Sequence, residues 1–234
     1  MINPLEGSNP SPSANLFTTE RSPGAIAVID EHAAAFAQLG AATLGESGGQ
    51  PMSPRISAAW LGARISAPAY PVTCSAGDNL AIHVAVAEAP AGHVLVASVG
   101  VEPERGYWGE VLTTGAEARG LMGLVIDGGV RDVSALEAHG FPAFSSMIAL
   151  RGATKEHPGR VGGQTVVGDV LVHEGDWIVA DADGVTVVPK TSLADVLAAG
   201  QAREAKEAKF FEALRAGQTT IDLLALDTER ITRD

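Results

Sequence analysis

An arginine and an aspartate, Arg131 and Asp132, stand side by side after an apolar run and two glycines in the sequence LMGLVIDGGVRDV. The apolar run predicts a buried strand, the glycines predict a tight turn, and the following residues predict a short helix. A guanidinium and a carboxylate at such a position can bind ligands of opposite charge, or they can be parts of structural ion pairs.

Spacing alone leaves the structural alternatives open. Asp132 occupies the position of a helix N-cap, where its carboxylate can accept hydrogen bonds from amides of the next turn. A capping box would have Glu or Gln three residues later, and Ala135 is there instead. Arg131 can pair with a surface acid. The pair is therefore a candidate site that the rest of the chain has to support.

Several other kinds of site are excluded by the sequence. Six histidines are scattered without an HExxH motif, so a zinc site is unsupported. The stretch GRVGGQTVVG is neither a P-loop nor a dinucleotide fingerprint, and no G-x-S-x-G elbow occurs. None of the four lysines is a strong Schiff-base candidate. The single cysteine, Cys74, excludes an intramolecular disulfide and is predicted to be an inert small residue.

The first part of the chain predicts alternating strands and helices, which is typical of an α/β core with parallel pairings. The predicted elements are a helix from Gly24 to near Gly40, an edge-like strand from Gly62 to Cys74 that contains two prolines, a helix capped by Asp78 with Leu80, Val84 and Ala87 on one face, a strand from His93 to Gly100, a helix from Glu110 to Arg119, a strand from Leu124 to Asp127, and a helix from Ser134 to His139 closed by Gly140.

After Arg151 the sequence changes to short alternating strands separated by Gly-Asp, Glu-Gly-Asp and Ala-Asp-Gly turns. A long helix follows from Ser192 to Arg215, with Gly217 just past its end. Its charged middle, which includes Arg203 and Glu207 at i,i+4, is either a solvated face or a contact with a neighbouring subunit. Three segments are predicted: a flexible arm over residues 1–23, one α/β catalytic domain over 24–190, and a C-terminal helix and tail over 191–234.

Composition narrows the class of partner. A formal net charge of −12 argues against nucleic-acid binding through phosphate neutralisation, and no basic run interleaved with aromatic residues occurs. The N-terminus has no basic and apolar targeting regions, and the longest apolar runs are of strand length. We therefore expect a cytoplasmic protein that binds neither nucleic acid nor membrane.

The stretch WGEVLTTGAEARGLMGLVIDGGVRDV resembles the signature of the family of regulator of ribonuclease activity A-like proteins. That family includes the class II aldolases that cleave 4-hydroxy-4-methyl-2-oxoglutarate and 4-carboxy-4-hydroxy-2-oxoadipate. The resemblance extends from about Ala25 to Gly217 and includes GDNLAIHVAVAEAPAGHVLVASVG, HGFPAFS and VHEGDWIVADADGVTVVP. It implies a layered α/β/β sandwich resembling the swivelling phosphohistidine-domain fold, with a long C-terminal helix, assembled as a homotrimer or homohexamer.

The resemblance also implies an activity and a site. The activity is divalent-metal-dependent cleavage of a 4-hydroxy-2-oxo acid to pyruvate through an enolate, started by deprotonation of the 4-hydroxyl group, with oxaloacetate decarboxylation as a side activity. By the family pattern, Arg131 binds the pyruvoyl group and Asp132 holds Mg²⁺ or Mn²⁺. Catalytic acids fall on Glu110 and on Glu207 or Glu204 of a neighbouring subunit. The substrate carboxylate falls on the amides around Gly109, Val111 and Leu112.

Elementary chemistry agrees with these roles. A helix N-terminus offers unpaired amides to a carboxylate, a guanidinium can hold a keto acid through two hydrogen bonds, and a hard cation that retains waters suits one carboxylate anchor. One departure is that Ala135 occupies a position that is acidic in the aldolase motif. Since the family also contains proteins that inhibit a ribonuclease by binding it, the alternative prediction is a non-catalytic regulator of a ribonuclease or another protein.

Overall fold

The computed structural model describes residues 23–232. The elements are α1 (Pro23–Gly45), β1 (Gln50–Pro51), β2 (Ser57–Ala58), β3 (Ile65–Thr73), α2 (Leu80–Glu88), β4 (Val94–Ser98), β5 (Gly106–Trp108), α3 (Glu110–Ala118), β6 (Gly123–Val130), α4 (Val133–His139), β7 (Ala143–Ile148), β8 (Arg160–Val161), β9 (Gln164–Val167), β10 (Val170–His173), β11 (Trp177–Asp181), β12 (Gly184–Val188), α5 (Leu193–Arg215) and α6 (Thr220–Leu224). The predicted N-terminal arm lies outside the described residues, except for Pro23.

One curled sheet of ten strands organises the described residues. Its main order is β1-β12-β11-β3-β4-β6-β7-β2, with β5 beside β6 and β8 beside β3, while β9 and β10 form a separate hairpin. The pairs β3–β4, β4–β6 and β6–β7 are parallel, and helices α2, α3 and α4 lie between these strands in the sequence. The predicted α/β core with parallel pairings is confirmed.

The central strands are buried on both faces. Val94 and Val96 of β4 face the interior of the curl, where they pack with residues of β11 and β12. Leu95 and Ala97 face the other way and pack against α2, α3 and α4. Burial on both faces explains why this strand reads as a continuous apolar run. Helices α2, α3 and α4 on one side, two β layers around a shared core, and α1 with α5 on the opposite outer face give the predicted mixed α/β layered fold.

Strand β3 was predicted at an edge, and that prediction is wrong. Its first half pairs with β11 up to Pro68, and its second half pairs with β4 from Ala69 onward. Pro68 lies where pairing passes from one neighbour to the other, and Pro71 lies just before the pairing with β8 begins at Val72. The missing amide donors are therefore tolerated in a central strand.

The two glycines before the Arg-Asp pair do not form a turn. They belong to β6, which continues to Val130. A Cβ atom on Gly128 would lie 2.7 Å from Val99 Cγ2, and one on Gly129 would lie 2.5 Å from the Arg105 carbonyl oxygen. The glycines therefore allow close packing inside the sheet, and the turn begins only at the Arg-Asp pair.

Both long helices pack on the outer face of β11 and β12. Helix α1 has a non-helical residue at Gly40, near its predicted end, and then continues to Gly45. The Ala41 amide donates to Asp181 Oδ2 at 2.9 Å just after this break. Helix α5 has the predicted bounds and buries Val196 against Phe36 of α1. Beyond this contact α5 is largely exposed.

The predicted apolar face of α2 is exposed rather than buried. Leu80, Val84 and Ala87 face solvent, whereas Ile82 and Val86 pack into the core. Within residues 23–232, no helix has the length and apolar character needed to cross a bilayer.

Candidate active site

A cleft of about 230 Å³ lies at the N-terminal ends of α2 and α3, next to the turn that carries the Arg-Asp pair. It is lined by Asn79, His83, Gly106, Tyr107, Trp108, Gly109, Val111, Leu112, Arg131, Asp132, Gly152, Ala153 and Lys155. Five of the residues predicted from the sequence, Gly109, Val111, Leu112, Arg131 and Asp132, are thus brought together in one place.

Asp132 has a left-handed backbone conformation, with φ 56° and ψ 36°. Its carbonyl oxygen accepts hydrogen bonds from the amides of Ala135 and Leu136, but its carboxylate makes no cap for its own helix. Instead, Asp132 Oδ2 accepts a hydrogen bond from the Glu110 amide at 3.1 Å, at the start of α3. The carboxylate of Asp132 was predicted to cap its own helix, α4, but it binds the first amide of α3 instead. A non-glycine residue held in this conformation is typical of a functional turn.

Gly109 is required by this arrangement. A Cβ atom on Gly109 would lie 2.3 Å from Asp132 Oδ2 and 3.1 Å from Arg131 Cγ. Any larger residue would push the Arg-Asp turn away from the start of α3. The glycine before the predicted acidic residue therefore has a steric role.

The Arg131 side chain is held in place although its guanidinium makes no hydrogen bond to the described residues. Its backbone amide donates to the Trp108 carbonyl oxygen at 2.9 Å, and its side chain runs over the backbones of Gly106 and Gly109. Its one ionic contact joins Nε to Asp132 Oδ2 at 3.8 Å, and the side chain is 44% exposed. The guanidinium makes no hydrogen bond to any of residues 23–232, so its donors are free to bind a ligand.

The first turn of α3 adds two backbone donors. The first intrahelical bond runs from the Thr113 amide to the Gly109 carbonyl oxygen, so the amides of Val111 and Leu112 lie before the helical ladder begins. No described residue accepts from either amide. Unpaired amides at the positive end of a helix are suited to a carboxylate.

Glu110, predicted as a catalytic acid, lies between the cleft residues Gly109 and Val111 in the chain but does not line the cleft itself. Its side chain is 58% exposed, and Oε1 is 3.7 Å from His139 Nε2. On its other side, His139 Nδ1 is 2.8 Å from Glu117 Oε2. The carboxylate of Glu110 is thus exposed to solvent and faces the His139 ring of α4.

The acids of the C-terminal helix do not reach the cleft of their own chain. Glu207 Oε1 is 2.8 Å from Arg203 Nε, and Arg203 also pairs with Glu46. Neither Glu207 nor Glu204 lines the cleft. Their contribution to a neighbouring subunit's site stays a prediction.

Asp132 fits a divalent cation as a single anchor. Within residues 23–232, no group of three or more His, Cys, Asp and Glu side chains is placed to hold a metal. The Asp132 side chain is 43% exposed, and the one hydrogen bond that its carboxylate accepts from another residue uses only Oδ2. Mg²⁺ takes oxygen ligands and keeps several waters, so one carboxylate together with water and substrate oxygens suits it.

The floor of the cleft is rigid and fully buried. Trp108 stacks on Phe141 with ring centroids 5.6 Å apart, and its Nε1 donates to Thr113 Oγ1 at 2.8 Å. The Tyr107 hydroxyl accepts from the Gly77 amide and donates to the Glu102 carbonyl oxygen. These aromatic residues fix the strand that enters α3.

Sequence reasoning missed eight of the residues that line the cleft: Asn79, His83, Gly106, Tyr107, Trp108, Gly152, Ala153 and Lys155. Asn79 and His83 lie four residues apart at the start of α2, a spacing that could have indicated a shared face. Lys155 lies on a distant loop, and no local signal marks it. Among these, Gly106 and Gly152 matter because they have no side chain. The Arg131 side chain runs close to both.

Asp78 connects the start of α2 to the loop that carries Lys155. It is buried and accepts hydrogen bonds from the Leu80 amide, the Thr154 hydroxyl and the amides of Glu156 and His157. Burial alone would raise the pKa of Asp78, but these hydrogen bonds outweigh burial and hold it far below its ordinary value. Asp78 was predicted as the cap of α2, but the N-cap is Asn79; Asp78 precedes it, and its carboxylate binds both the first amide of α2 and the loop that carries Lys155.

The cleft favours anions although the chain is acidic. Its charged lining consists of the cations Arg131 and Lys155 and the anion Asp132, and the ionisable residues His83 and Tyr107 also line it. Burial, with Lys155 nearby, lowers the pKa of His83, so its imidazole is uncharged at pH 7. Cys74 is buried outside the cleft, and burial raises its pKa to about 12, as expected for an inert thiol.

Known proteins are similar to this chain in sequence and in fold. A provisionally named 4-hydroxy-4-methyl-2-oxoglutarate aldolase from Halalkalibacterium halodurans is 34% identical over 144 residues, which are 62% of this chain and 69% of that protein. Protein DlpA of Legionella pneumophila is 26% identical over 90% of this chain, but the match spans only 35% of that protein.

Two solved structures extend the comparison. A structure from Pseudomonas syringae pv. tomato has a TM-score of 0.71 and 28% identity, covering 83% of this chain and 91% of that one. The RNA-processing inhibitor RraA from Thermus thermophilis has a TM-score of 0.56 and 25% identity, covering 61% of this chain and 86% of that one.

A family model described as RraA-like, Aldolase/RraA, matches residues 26–187. This match covers most of the chain and includes every residue that lines the cleft. The chain therefore belongs to the RraA-like family.

Proposed function

We propose that the protein is a divalent-metal-dependent lyase that cleaves a 4-hydroxy-2-oxo acid, similar to 4-hydroxy-4-methyl-2-oxoglutarate, to pyruvate. The observation that carries the proposal is the unpaired guanidinium of Arg131, held beside the free amides of Val111 and Leu112 and the carboxylate of Asp132. A structural ion pair would not need donors left open toward a cleft.

Each group has a role that its position allows. The amides of Val111 and Leu112 bind the substrate's C1 carboxylate, and Arg131 donates to the 2-oxo group. Asp132 anchors Mg²⁺ or Mn²⁺, which when bound supplies Lewis-acid polarisation of the 2-oxo group. Lys155 gives the cleft a second cation for a distal carboxylate.

The reaction begins when a base removes the proton of the 4-hydroxyl group. The C4 alkoxide then becomes the carbonyl group of the second product as the C3–C4 bond breaks. The electron pair of that bond moves toward the 2-oxo oxygen beside Arg131, giving pyruvate enolate, which takes a proton at C3. Glu110, which follows the cleft residue Gly109 in the chain, is one candidate for the group that moves these protons, and Glu207 or Glu204 of a neighbouring subunit is the second. Decarboxylation of oxaloacetate leads to the same enolate and is the expected side activity.

The assembly that this proposal requires is a homotrimer or homohexamer in the cytoplasm. Three apolar side chains near the mouth of the cleft, Leu80, Val84 and Val111, are exposed in the isolated chain, Val111 by 82%. An apolar surface of this kind suits a contact with a neighbouring subunit that supplies the missing acid.

The test is pyruvate release from a panel of 4-hydroxy-2-oxo diacids and oxaloacetate, measured with and without Mg²⁺. We expect metal-dependent release from at least one hydroxylated diacid. The similarity to the RNA-processing inhibitor RraA supports the alternative, a non-catalytic regulator that binds a ribonuclease. Absence of pyruvate release from the whole panel, together with inhibition of a purified ribonuclease, would favour the regulator.

A further inference from the structure

Two buried polar atoms beside the cleft have no hydrogen-bond partner among residues 23–232: Asn79 Oδ1 and His83 Nε2. The Asn79 residue is only 5% exposed, and its Nδ2 donates to the Tyr107 carbonyl oxygen at 2.7 Å. That bond fixes the amide so that Oδ1 is the atom left unpaired. An unpaired buried acceptor costs roughly 1–3 kcal/mol, and a hydrogen-bond donor on a bound ligand would recover this cost.

The two side chains share one side of a rigid helix start. They lie four residues apart, and the His83 amide donates to the Asn79 carbonyl oxygen at 3.2 Å. The Asn79 amide donates to the Thr154 carbonyl oxygen at 2.9 Å, which ties this turn to the loop of Lys155. Both residues line the cleft that also contains Arg131.

The chemistry of the two atoms limits what can satisfy them. Asn79 Oδ1 only accepts hydrogen bonds, so its partner must carry a donor. The uncharged imidazole of His83 presents Nε2 as a donor or an acceptor according to its tautomer. A hydroxyl group can donate a hydrogen bond to Asn79 Oδ1 and at the same time accept one from Nε2–H of His83. A ketone cannot donate, and a methylene can do neither.

We propose that Asn79 and His83 recognise the hydroxyl group of the substrate and set the preference for hydroxylated over non-hydroxylated 2-oxo acids. This rests on the proposed function, because Arg131 and the α3 amides fix the 2-oxo end and leave the rest of the substrate to extend along α2. In the bound substrate, the hydroxyl group donates to Asn79 Oδ1 and accepts a hydrogen bond from Nε2–H of His83, and it gives up its proton to the base only when the reaction begins.

The test compares kcat/KM for a 4-hydroxy-2-oxo diacid with kcat/KM for oxaloacetate decarboxylation, which involves no hydroxyl group. We expect His83→Phe and Asn79→Leu to lower the ratio of the two constants by at least about tenfold. His83→Phe removes an unpaired atom, so its melting temperature should equal or exceed that of the wild type. Asn79→Leu leaves the Tyr107 carbonyl oxygen unpaired, and its melting temperature should fall.

The matched control is His173→Phe. His173 lies on β10, outside the cleft, and its Nδ1 is 3.5 Å from Asp176 Oδ2. It should leave the ratio unchanged. An unchanged ratio in both cleft variants would overturn the proposal. If kcat/KM falls equally for both substrates and the melting temperature of His83→Phe also falls, the role of His83 is structural and the proposal is likewise overturned.

A wild-type protein that releases no pyruvate would overturn the lyase activity but still allow the pair to be tested. The hydroxylated diacid would then stay intact, and calorimetric titration can compare it with 2-oxoglutarate, which lacks the hydroxyl group. We expect tighter binding of the hydroxylated acid by the wild type and loss of that preference in His83→Phe. Equal affinities of the wild type for the two acids would contradict the proposal.

Discussion

Two arginines of this protein are almost equally exposed but differ in their partners. The Arg55 side chain is 41% exposed, and its guanidinium donates to Asp127 from Nε and Nη2 and to Asp169 from Nη1 and Nη2. The Arg131 side chain is 44% exposed, and its nearest carboxylate oxygen, on Asp132, lies 3.8 Å away. Exposure alone therefore does not separate a structural arginine from one available to a ligand.

The difference lies in how the donors are used. Arg55 joins the loop after β1 to the β9–β10 turn and to β6, and its hydrogen bonds lower the pKa of Asp169. Arg131 has its carbon chain fixed by close glycines while its donors stay open. A guanidinium held in this way has already lost part of its conformational freedom, so a ligand can bind it at a smaller entropic cost.

The largest expected effect follows from removing the carboxylate beside Arg131. Asp132→Ala should weaken Mg²⁺ binding by at least about tenfold and lower kcat/KM by about 1,000-fold or more, because the only carboxylate anchor is lost. EDTA should abolish the activity of the wild type. Calorimetry and pyruvate release measure the two effects.

The matched control for that substitution is Asp169→Ala, which removes a carboxylate from the Arg55 cluster. It should keep the Mg²⁺ affinity and kcat/KM of the wild type. Full activity of metal-free protein would sink the assignment of Asp132 as a metal anchor.

The next effect separates the two arginines directly. Arg131→Lys keeps the charge but loses the planar fork, so kcat/KM should fall by about 30- to 1,000-fold, equivalent to about 2–4 kcal/mol of transition-state stabilisation. Its melting temperature and Mg²⁺ affinity should stay near wild type. Arg55→Lys should do the opposite, with a lower melting temperature and kcat/KM within about threefold of wild type. If Arg131→Lys unfolds the protein and its folded fraction is fully active, the arginine is a structural clamp.

A third effect concerns the buried carboxylate that connects α2 to the loop of Lys155. Since hydrogen bonds hold the pKa of Asp78 far below its unfolded value, this residue stabilises the fold above about pH 4, and the contribution is lost as pH falls toward the folded pKa. Asp78→Asn should lower the free energy of unfolding by roughly 2 kcal/mol at pH 7. Urea unfolding at several pH values should show this difference shrinking below about pH 4. A difference independent of pH would contradict this account.

Local patterns predicted most of the fold because they report burial and chain reversal. Because β4 is buried on both faces, its apolar run could be recognised in the sequence as a strand. Gly140, with φ 68°, ends α4 where the sequence predicted. The errors occur where tertiary contacts decide. The Gly-Gly pair at 128 and 129 is typical of a turn. In the fold, however, a side chain at either position would collide with Val99, Arg105 or other neighbours that are distant in sequence.

The site was predicted only where a contiguous stretch of sequence carries it. Arg131 and Asp132 are adjacent, and Gly109 begins the preceding helix. Asn79 and Lys155 are 76 residues apart and meet through the hydrogen bonds of Asp78, which no local period reveals. The contacts of one chain also cannot place an acid that a neighbouring subunit would supply.

The smallest expected effect on stability concerns that acid. In its own chain, Glu207 pairs with Arg203 on a solvent-facing helix, so Glu207→Gln should change the free energy of unfolding by less than about 1 kcal/mol. If Glu207 also reaches a neighbour's cleft, the same substitution should lower kcat by about tenfold or more. Subunit mixing separates the two roles. Arg131→Lys and Glu207→Gln variants, unfolded and reassembled together in equal amounts, should regain about a quarter of the wild-type activity, because one site in four then combines an intact arginine with an intact glutamate from the adjacent subunit. Light scattering should show a trimer or hexamer in the same samples. No recovery in mixed oligomers, or a stable and active monomer, would remove Glu207 from the site.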